Sequence, residues 1–356
     1  MADFSSYGGP SAEWLAVEKT LPALTFDLTQ DVLTLRHTVN AGREESSAKG
    51  MEILGSKVIT KDHTIPTRDS STIEARSYRP ISAPADEKLP VYLFFHGGGF
   101  LFGTLSSEDA LCSQVAINAN VAVVNVNYRH TPEHVFPTAW HDTQDAFAWL
   151  HDHISDVGGD PAKVVVGGIS AGGELAASLV LEKHLGKALT QYPSIAGQIL
   201  LIPALVHSDT YNDGLHKLLK SPEVSSIVEN ENAPILPLKT AHFFVDLLKT
   251  GTPELKDTKL NPGLATKEEV KGMPPTVFGV AGLDPLRDEA LLYAKTLSEA
   301  GVPTQTILFK GVPHAFRRFG AALKVSQDWD EATEGGIKWA ISGPTASGKF
   351  EIVVKE

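Results

Sequence analysis

Six short runs along the chain are apolar without alternation: Val91–Phe95, Val121–Val126, Val164–Val166, Gln198–Ile202, Thr276–Val280 and Thr306–Phe309. A strand with one wet face alternates polar and apolar positions. A run lacking that alternation suits a strand covered on both faces, as in a mostly parallel sheet. Helix-like segments lie between most of the runs. Asp142–Leu150 places Phe147 and Leu150 three apart, and Gly173–His184 brings Leu175, Leu179 and Glu182 a turn apart. Asp288–Leu297 begins acidic and carries Lys295 late, as the helix dipole favours. Strand and helix alternating every 30–40 residues or so predict an α/β fold with right-handed crossovers.

Two stretches break this rhythm. About 70 residues separate the Gln198–Ile202 run from Thr276–Val280. They hold helix-like Asn212–Leu219 and Ala241–Leu248, with Pro222, Pro234, Pro237 and Pro253 as turn formers, and are expected to form an insertion above the sheet. The first 50 residues or so precede every expected strand and carry amphipathic pieces at Ala12–Thr20 and Val32–Val39. No internal repeat or low-complexity tract is evident.

Composition narrows the function classes. The 356 residues are 42% hydrophobic and 21% charged, enough apolar material for a large core. The net charge of −12 disfavours nucleic acid and anionic lipid surfaces as partners. No stretch reaches the ~20 apolar residues of a spanning helix, and Met1–Pro10 lacks the layout of a signal peptide. A single cysteine, Cys112, rules out an internal disulfide framework and a cysteine-based zinc site. There is no Asn-x-Ser/Thr sequon. A cytoplasmic protein is expected, of one large domain or one domain with an insert.

The candidate chemistry gathers at strand ends. Gly168-Ile-Ser-Ala-Gly172 directly follows the Val164–Val166 run and precedes a helix. A strand-to-helix turn that tight strains the serine backbone and tolerates only small neighbours; in return it exposes the Ser170 hydroxyl beside a helix N-terminus. A glycine-rich turn with an idle serine is the plainer alternative. His96-Gly-Gly-Gly-Phe100 follows the Val91–Phe95 run, and the N–H groups of Gly97, Gly98 and Ala171 are the expected oxyanion hole. A phosphate cradle or a simple tight turn is the competing reading of that loop. Serine needs a base. His314, in Gly311-Val-Pro-His314, lies past the last apolar run, and Asp284, in Gly282-Leu-Asp-Pro-Leu-Arg-Asp-Glu289, lies past Thr276–Val280. The order Ser170, Asp284, His314 is that of a nucleophile-elbow hydrolase, with Asp288 as the rival acid.

These motifs, together with Tyr128-Arg-His-Thr-Pro-Glu133 and His134-Val-Phe-Pro137, resemble the hormone-sensitive-lipase-like branch of the α/β-hydrolases over roughly residues 60–340. The resemblance implies an eight-stranded, mostly parallel sheet flanked by helices under a helical cap. It implies hydrolysis of carboxylic esters, often of short acyl chains, without cofactor. The expected layout is an N-terminal cap segment at 1–50, the core at 51–205 and 274–342, a cap insertion at 206–273 and a tail at 343–356. Ser11-Ala-Glu-Trp-Leu15 has the look of fungal members. Three departures stand out: Ile169 where the family has Asp, Glu174 where it commonly has Asn, and His130-Thr131 in the tyrosine-arginine motif. Glu174 is expected to be solvated or salt-bridged, though it brings a possible extra charge near the site. Lactone opening, amide hydrolysis, acyl transfer or a biosynthetic elimination on the same scaffold is the alternative activity. A small-molecule receptor is a further one, which the presence of His314 disfavours.

Other signals point away from chemistry. Gly343-Pro-Thr-Ala-Ser-Gly-Lys-Phe350 has phosphate-loop spacing, but Phe350 replaces the Ser/Thr that would hold Mg²⁺, so a flexible tail is expected. His130 and His134 have metal-ligand spacing, but Pro132 interrupts a helix there, so no metal is expected. His96, Tyr128, Arg129 and Glu133 are expected to support the site by hydrogen bonds, Trp14 to pack, and Cys112 to be buried on a helix. Candidate pocket residues in the insertion are His207, Asp209, Tyr211, His216, Phe243 and Phe244. The expected partner is a small-molecule ester; oligomeric state is unreadable.

Overall fold

The computed structural model describes residues 1–22 and 26–356, so residues 23–25 of the expected N-terminal cap segment lie outside the described residues. Helices α1 (Ala12–Glu18) and α2 (Val32–Leu54) precede a hairpin of β1 (Val58–Pro66) and β2 (Thr72–Pro80), followed by β3 (Leu89–Phe95). Helices and strands then alternate through α3 (Leu105–Ala119), β4 (Ala122–Asn127), α4 (Thr138–Asp152), β5 (Gly159–Ile169), α5 (Ala171–His184) and β6 (Gly197–Leu201). An irregular stretch holds α6 (Ser226–Glu229), α7 (Leu238–Leu248) and α8 (Lys267–Val270). The chain closes with β7 (Thr276–Leu283), α9 (Arg287–Glu299), β8 (Thr304–Pro313), α10 (Val325–Ile341) and β9 (Val353–Lys355).

The strands form one sheet in the order β1-β2-β4-β3-β5-β6-β7-β8-β9. Pairing is antiparallel from β1 to β2 and from β2 to β4, and parallel from β4 through β9. All six strands expected from the sequence are present. The sheet has nine strands where eight were expected, because the C-terminal stretch is not a free tail: Ile307, Leu308 and Phe309 of β8 pair with Val353, Val354 and Lys355. Phe350 in the same stretch packs edge-on against Phe4, 6.2 Å between ring centroids. Helix-like Asn212–Leu219 is reduced to a 3-10 turn at Leu215–Lys217. Asn-Asp-Gly at its start favours local turns over helix.

Strand alternation feeds two cores, one on each sheet face. From β3, Val91, Leu93 and Phe95 join Phe147, Leu175 and Leu179 under α4, α5 and α9. Tyr92 and Phe94 join Cys112, Val115 and Trp329 under α3 and α10. Each large apolar side chain buried this way contributes ~1.5–3 kcal/mol, and together they hold the sheet rigid at its carboxyl edge. A third, smaller cluster of Leu35, Leu101 and Phe102 joins α2 to the loop after β3, with Phe243, Phe244 and Leu247 of α7 packed on it.

Candidate active site

Strand β5 ends at Ile169 and α5 begins at Ala171, so Ser170 alone makes the turn. Its backbone sits at φ 55°, ψ −119°, a region that costs a non-glycine residue ~1–3 kcal/mol. The turn closes because its neighbours lack a Cβ. One at Gly168 would lie 2.2 Å from the Gly172 carbonyl oxygen, and one at Gly172 would lie 2.0 Å from the Phe95 oxygen.

Ser170, Asp284 and His314 are each the first residue after a strand, β5, β7 and β8 respectively. Parallel strands end at the same edge, so residues far apart in sequence meet there. His314 Nε2 lies 2.9 Å from Ser170 Oγ, and His314 Nδ1 lies 2.6 Å from Asp284 Oδ2. A carboxylate only accepts, which assigns the ring proton to Nδ1 and leaves Nε2 to accept from the serine hydroxyl. Leu286 N–H donates to Asp284 Oδ1 at 2.9 Å, and Asn230 Nδ2 donates to the Asp284 backbone oxygen at 3.2 Å. The rival acid Asp288 faces elsewhere, accepting from Arg287 Nε and from Ser226 N–H at 2.8 Å each.

The loop His96–Phe100 leaves β3 at the point where strand order reverses, between β4 and β5. Gly98 adopts φ 135°, and a Cβ there would lie 2.3 Å from the Phe102 oxygen. Among the described residues, the N–H groups of Gly97, Gly98 and Ala171 have no protein acceptor. That of Ala171 is free because it opens α5. An anionic oxygen beside Ser170 Oγ is the ligand such donors suit.

The surroundings hold this loop. His96 is fully buried, its Nδ1 3.2 Å from the Gly97 oxygen and its ring stacked 4.5 Å from Tyr128. Burial, reinforced by the Arg43 charge, lowers its pKa to about 3, so it stays neutral. Tyr128 donates its hydroxyl to the His96 oxygen at 2.7 Å. Arg129 is clamped by Asp142 and Asp69, and Glu133 by Arg36. Trp14 is buried against Phe319, and Cys112 is buried on α3. Arg43 had no signal in the sequence: from α2 it donates to the Gly97 oxygen at 3.2 Å and pairs with Glu108 at 2.5 Å. Asn230 was equally unmarked.

Glu174 departs from expectation. It is neither solvated nor salt-bridged but 7% exposed, one helical turn past Ser170. Burial raises its carboxyl well above the usual range, with the nearby Glu289 and Asp257 charges adding to the effect. Burial thus works against a negative charge behind the serine. Glu289 is also buried, and accepts from Leu205 N–H at 2.6 Å and from the Tyr211 hydroxyl at 3.2 Å.

The candidate pocket residues of the insertion divide. His207 faces Thr250, Tyr211 faces Glu289, and His216 faces Asn212. Phe243 and Phe244 instead turn to the loop after β3: a Cβ on Gly99 would fall 2.3 Å from the Phe244 ring, which also meets Phe102 edge-on at 5.6 Å. Among the described residues no cluster of three His, Cys, Asp or Glu side chains forms a metal cradle, and none of the helices is long and apolar enough to cross a membrane.

A family model described as the alpha/beta hydrolase fold matches residues 92–318. The chain is 33% identical over 273 residues to esterase LipI of Mycobacterium tuberculosis, covering 74% of this chain and 76% of the relative. An esterase from Pyrobaculum calidifontis superposes with a TM-score of 0.74 at 30% identity, over 93% of this chain and 98% of that one. A structure of vibralactone cyclase superposes with a TM-score of 0.82 at 26% identity, over 96% and 97%. The chain belongs to the α/β-hydrolase fold family, in its hormone-sensitive-lipase-like branch, whose named relatives are esterases and carboxylesterases.

Proposed function

We propose that this chain is a serine carboxylesterase acting on small-molecule esters, with Ser170 as nucleophile, His314 as general base and acid, and Asp284 as the group that orients the imidazole. The observation that carries this reading is the continuous relay from Asp284 Oδ2 through His314 to Ser170 Oγ, 2.6 and 2.9 Å, ending at a serine with positive φ. Nε2 takes the hydroxyl proton as Oγ attacks the acyl carbon, and the new oxyanion is held by the N–H groups of Gly97, Gly98 and Ala171. The protonated imidazole then gives its proton to the leaving alcohol. Water, activated by the same imidazole, releases the acid. No cofactor is required by these steps.

Residues 51–205 and 274–342 supply the reacting groups and every strand of the sheet but β9 in this reading. Residues 1–50 and 206–273 bound the acyl or alcohol pocket, supported by the contact of Phe244 with Gly99 and Phe102. The cytoplasm is the proposed compartment, consistent with a lone buried thiol. A second reading keeps the acyl-enzyme but lets a hydroxyl within the acyl group displace Ser170, closing a lactone in place of hydrolysis. The likeness to the structure of vibralactone cyclase supports this second reading. The test is turnover of p-nitrophenyl acetate by the wild type and by Ser170→Ala, with product analysis on esters of hydroxy acids. Hydrolysis lost in the variant supports the proposal, and unchanged hydrolysis overturns it.

A further inference from the structure

A cleft of about 470 Å³ is lined by Arg68, His141, Gln144, Glu182, Lys187, Ala188 and Lys256–Lys259. None of the proposed catalytic groups borders it. Four cationic side chains gather there on a chain whose net charge is −12, a clustering that solvation alone does not call for. The lining comes from four separate places: the turn between β1 and β2, the first half of α4, the end of α5 and the segment before α8.

The wall is organised by hydrogen bonds. Glu182, 4% exposed, accepts from Gln144 Nε2 at 2.8 Å, from Thr258 Oγ1 at 3.1 Å and from Lys259 Nζ at 2.8 Å. Arg68 donates to Gln144 Oε1 at 3.0 Å and pairs with Asp145. Lys187 Nζ donates to Thr258 Oγ1 at 3.0 Å. The charges of Glu182 and Arg68 are thus answered within the wall. Glu269 feels the charge of both Lys187 and Lys256 without bonding to either; its carboxylate caps Thr266, and that of Asp257 caps the N–H of Lys259. Among the described residues Lys187 and Lys256 have no ion-pair partner. His141 is held neutral, mainly by burial and then by Arg68 and Lys259, and keeps a ring N–H to donate.

We propose that this cleft binds a compact dianion of the phosphate-monoester type, held by Lys187 and Lys256 and oriented by the Arg68–Gln144–Glu182–Thr258 hydrogen-bonded wall. The volume admits a phosphate with a small organic group. Ammonium groups serve as point-charge phosphate ligands, and the pre-set wall lowers the ordering cost of binding. The site stands independently of the esterase reading.

Isothermal titration of the full chain with inorganic phosphate and with AMP, at fixed ionic strength and against a chloride control, tests it. Saturable binding is expected, weakened about tenfold or more in the Lys187→Ala/Lys256→Ala double variant, about 1.4 kcal/mol or more. Lys349→Ala, remote from the cleft in the C-terminal stretch, is expected to bind as the wild type does. Unchanged p-nitrophenyl acetate hydrolysis would show that the double variant is folded. Absence of saturable binding beyond chloride, or equal binding by wild type and double variant, overturns the proposal.

Discussion

A serine hydroxyl is a weak nucleophile until its proton has somewhere to go, and here the two acceptors in line are buried and aligned. The role proposed for Asp284 is orientation, so Asp284→Asn is expected to leave the fold intact while lowering kcat by about 10⁴. Steady-state kinetics beside a thermal melt checks this; a loss under tenfold would remove Asp284 from the relay. Glu174 gives a stability prediction of known sign. Burial raises its folded-state pKa above the ordinary 4.5. The folded chain therefore holds a proton that the unfolded chain loses, and stability falls as pH rises from about 4.5 through the folded value. Glu174→Gln removes that titration. Its Tm is expected to exceed the wild type's by a margin that widens with pH above 4.5 and closes below it; parallel Tm curves would contradict this. Ser170, Asp284 and His314 were readable because each follows an apolar run within a local motif. Glu174 was misread because its surroundings, among them the Glu289 and Asp257 charges, come from distant segments.

At the scale of elements, the turn from β5 to α5 depends on glycines that allow backbone to touch backbone. Gly172→Ala would put a methyl group 2.0 Å from the Phe95 oxygen, and rigid β3 cannot yield cheaply. A loss of ~1–3 kcal/mol or more, with kcat/KM falling alongside, is expected from urea denaturation and kinetics on the same sample. Unchanged values for both would show that the turn has slack. Buried strands announced themselves as apolar runs, whereas β1 did not: most of its positions are exposed or half-exposed, and it reads as polar. Helix α2 was legible only in its first two turns, because just Leu35 and Ser47 of its 23 residues are buried. Strand β9 is three mostly exposed residues added to an edge, with no pattern to detect.

Over the whole molecule, the sheet fixes the reacting groups while the segment before it and the insertion between β6 and β7 close around them. Leu35, Phe102 and Phe244 bring α2, the loop after β3 and α7 into one apolar cluster. Phe244→Ala is expected to raise kcat/KM for octanoyl over acetyl p-nitrophenyl esters several-fold, read as a ratio so that any general loss cancels. An unchanged ratio would place the acyl pocket elsewhere. The α/β architecture was legible because strand and helix alternate regularly. The packing of the insertion was not, since its contacts join α2 and α7 across about 200 residues. The central claim is that an ester passes its acyl group to Ser170, and intact-protein and peptide mass spectrometry after rapid acid quenching with p-nitrophenyl acetate tests it most directly. One acetyl group on the peptide carrying Ser170, absent from Ser170→Ala, is the predicted result. Steady turnover by wild type with no acyl group on Ser170 at any quench time, and full activity in Ser170→Ala, would contradict it.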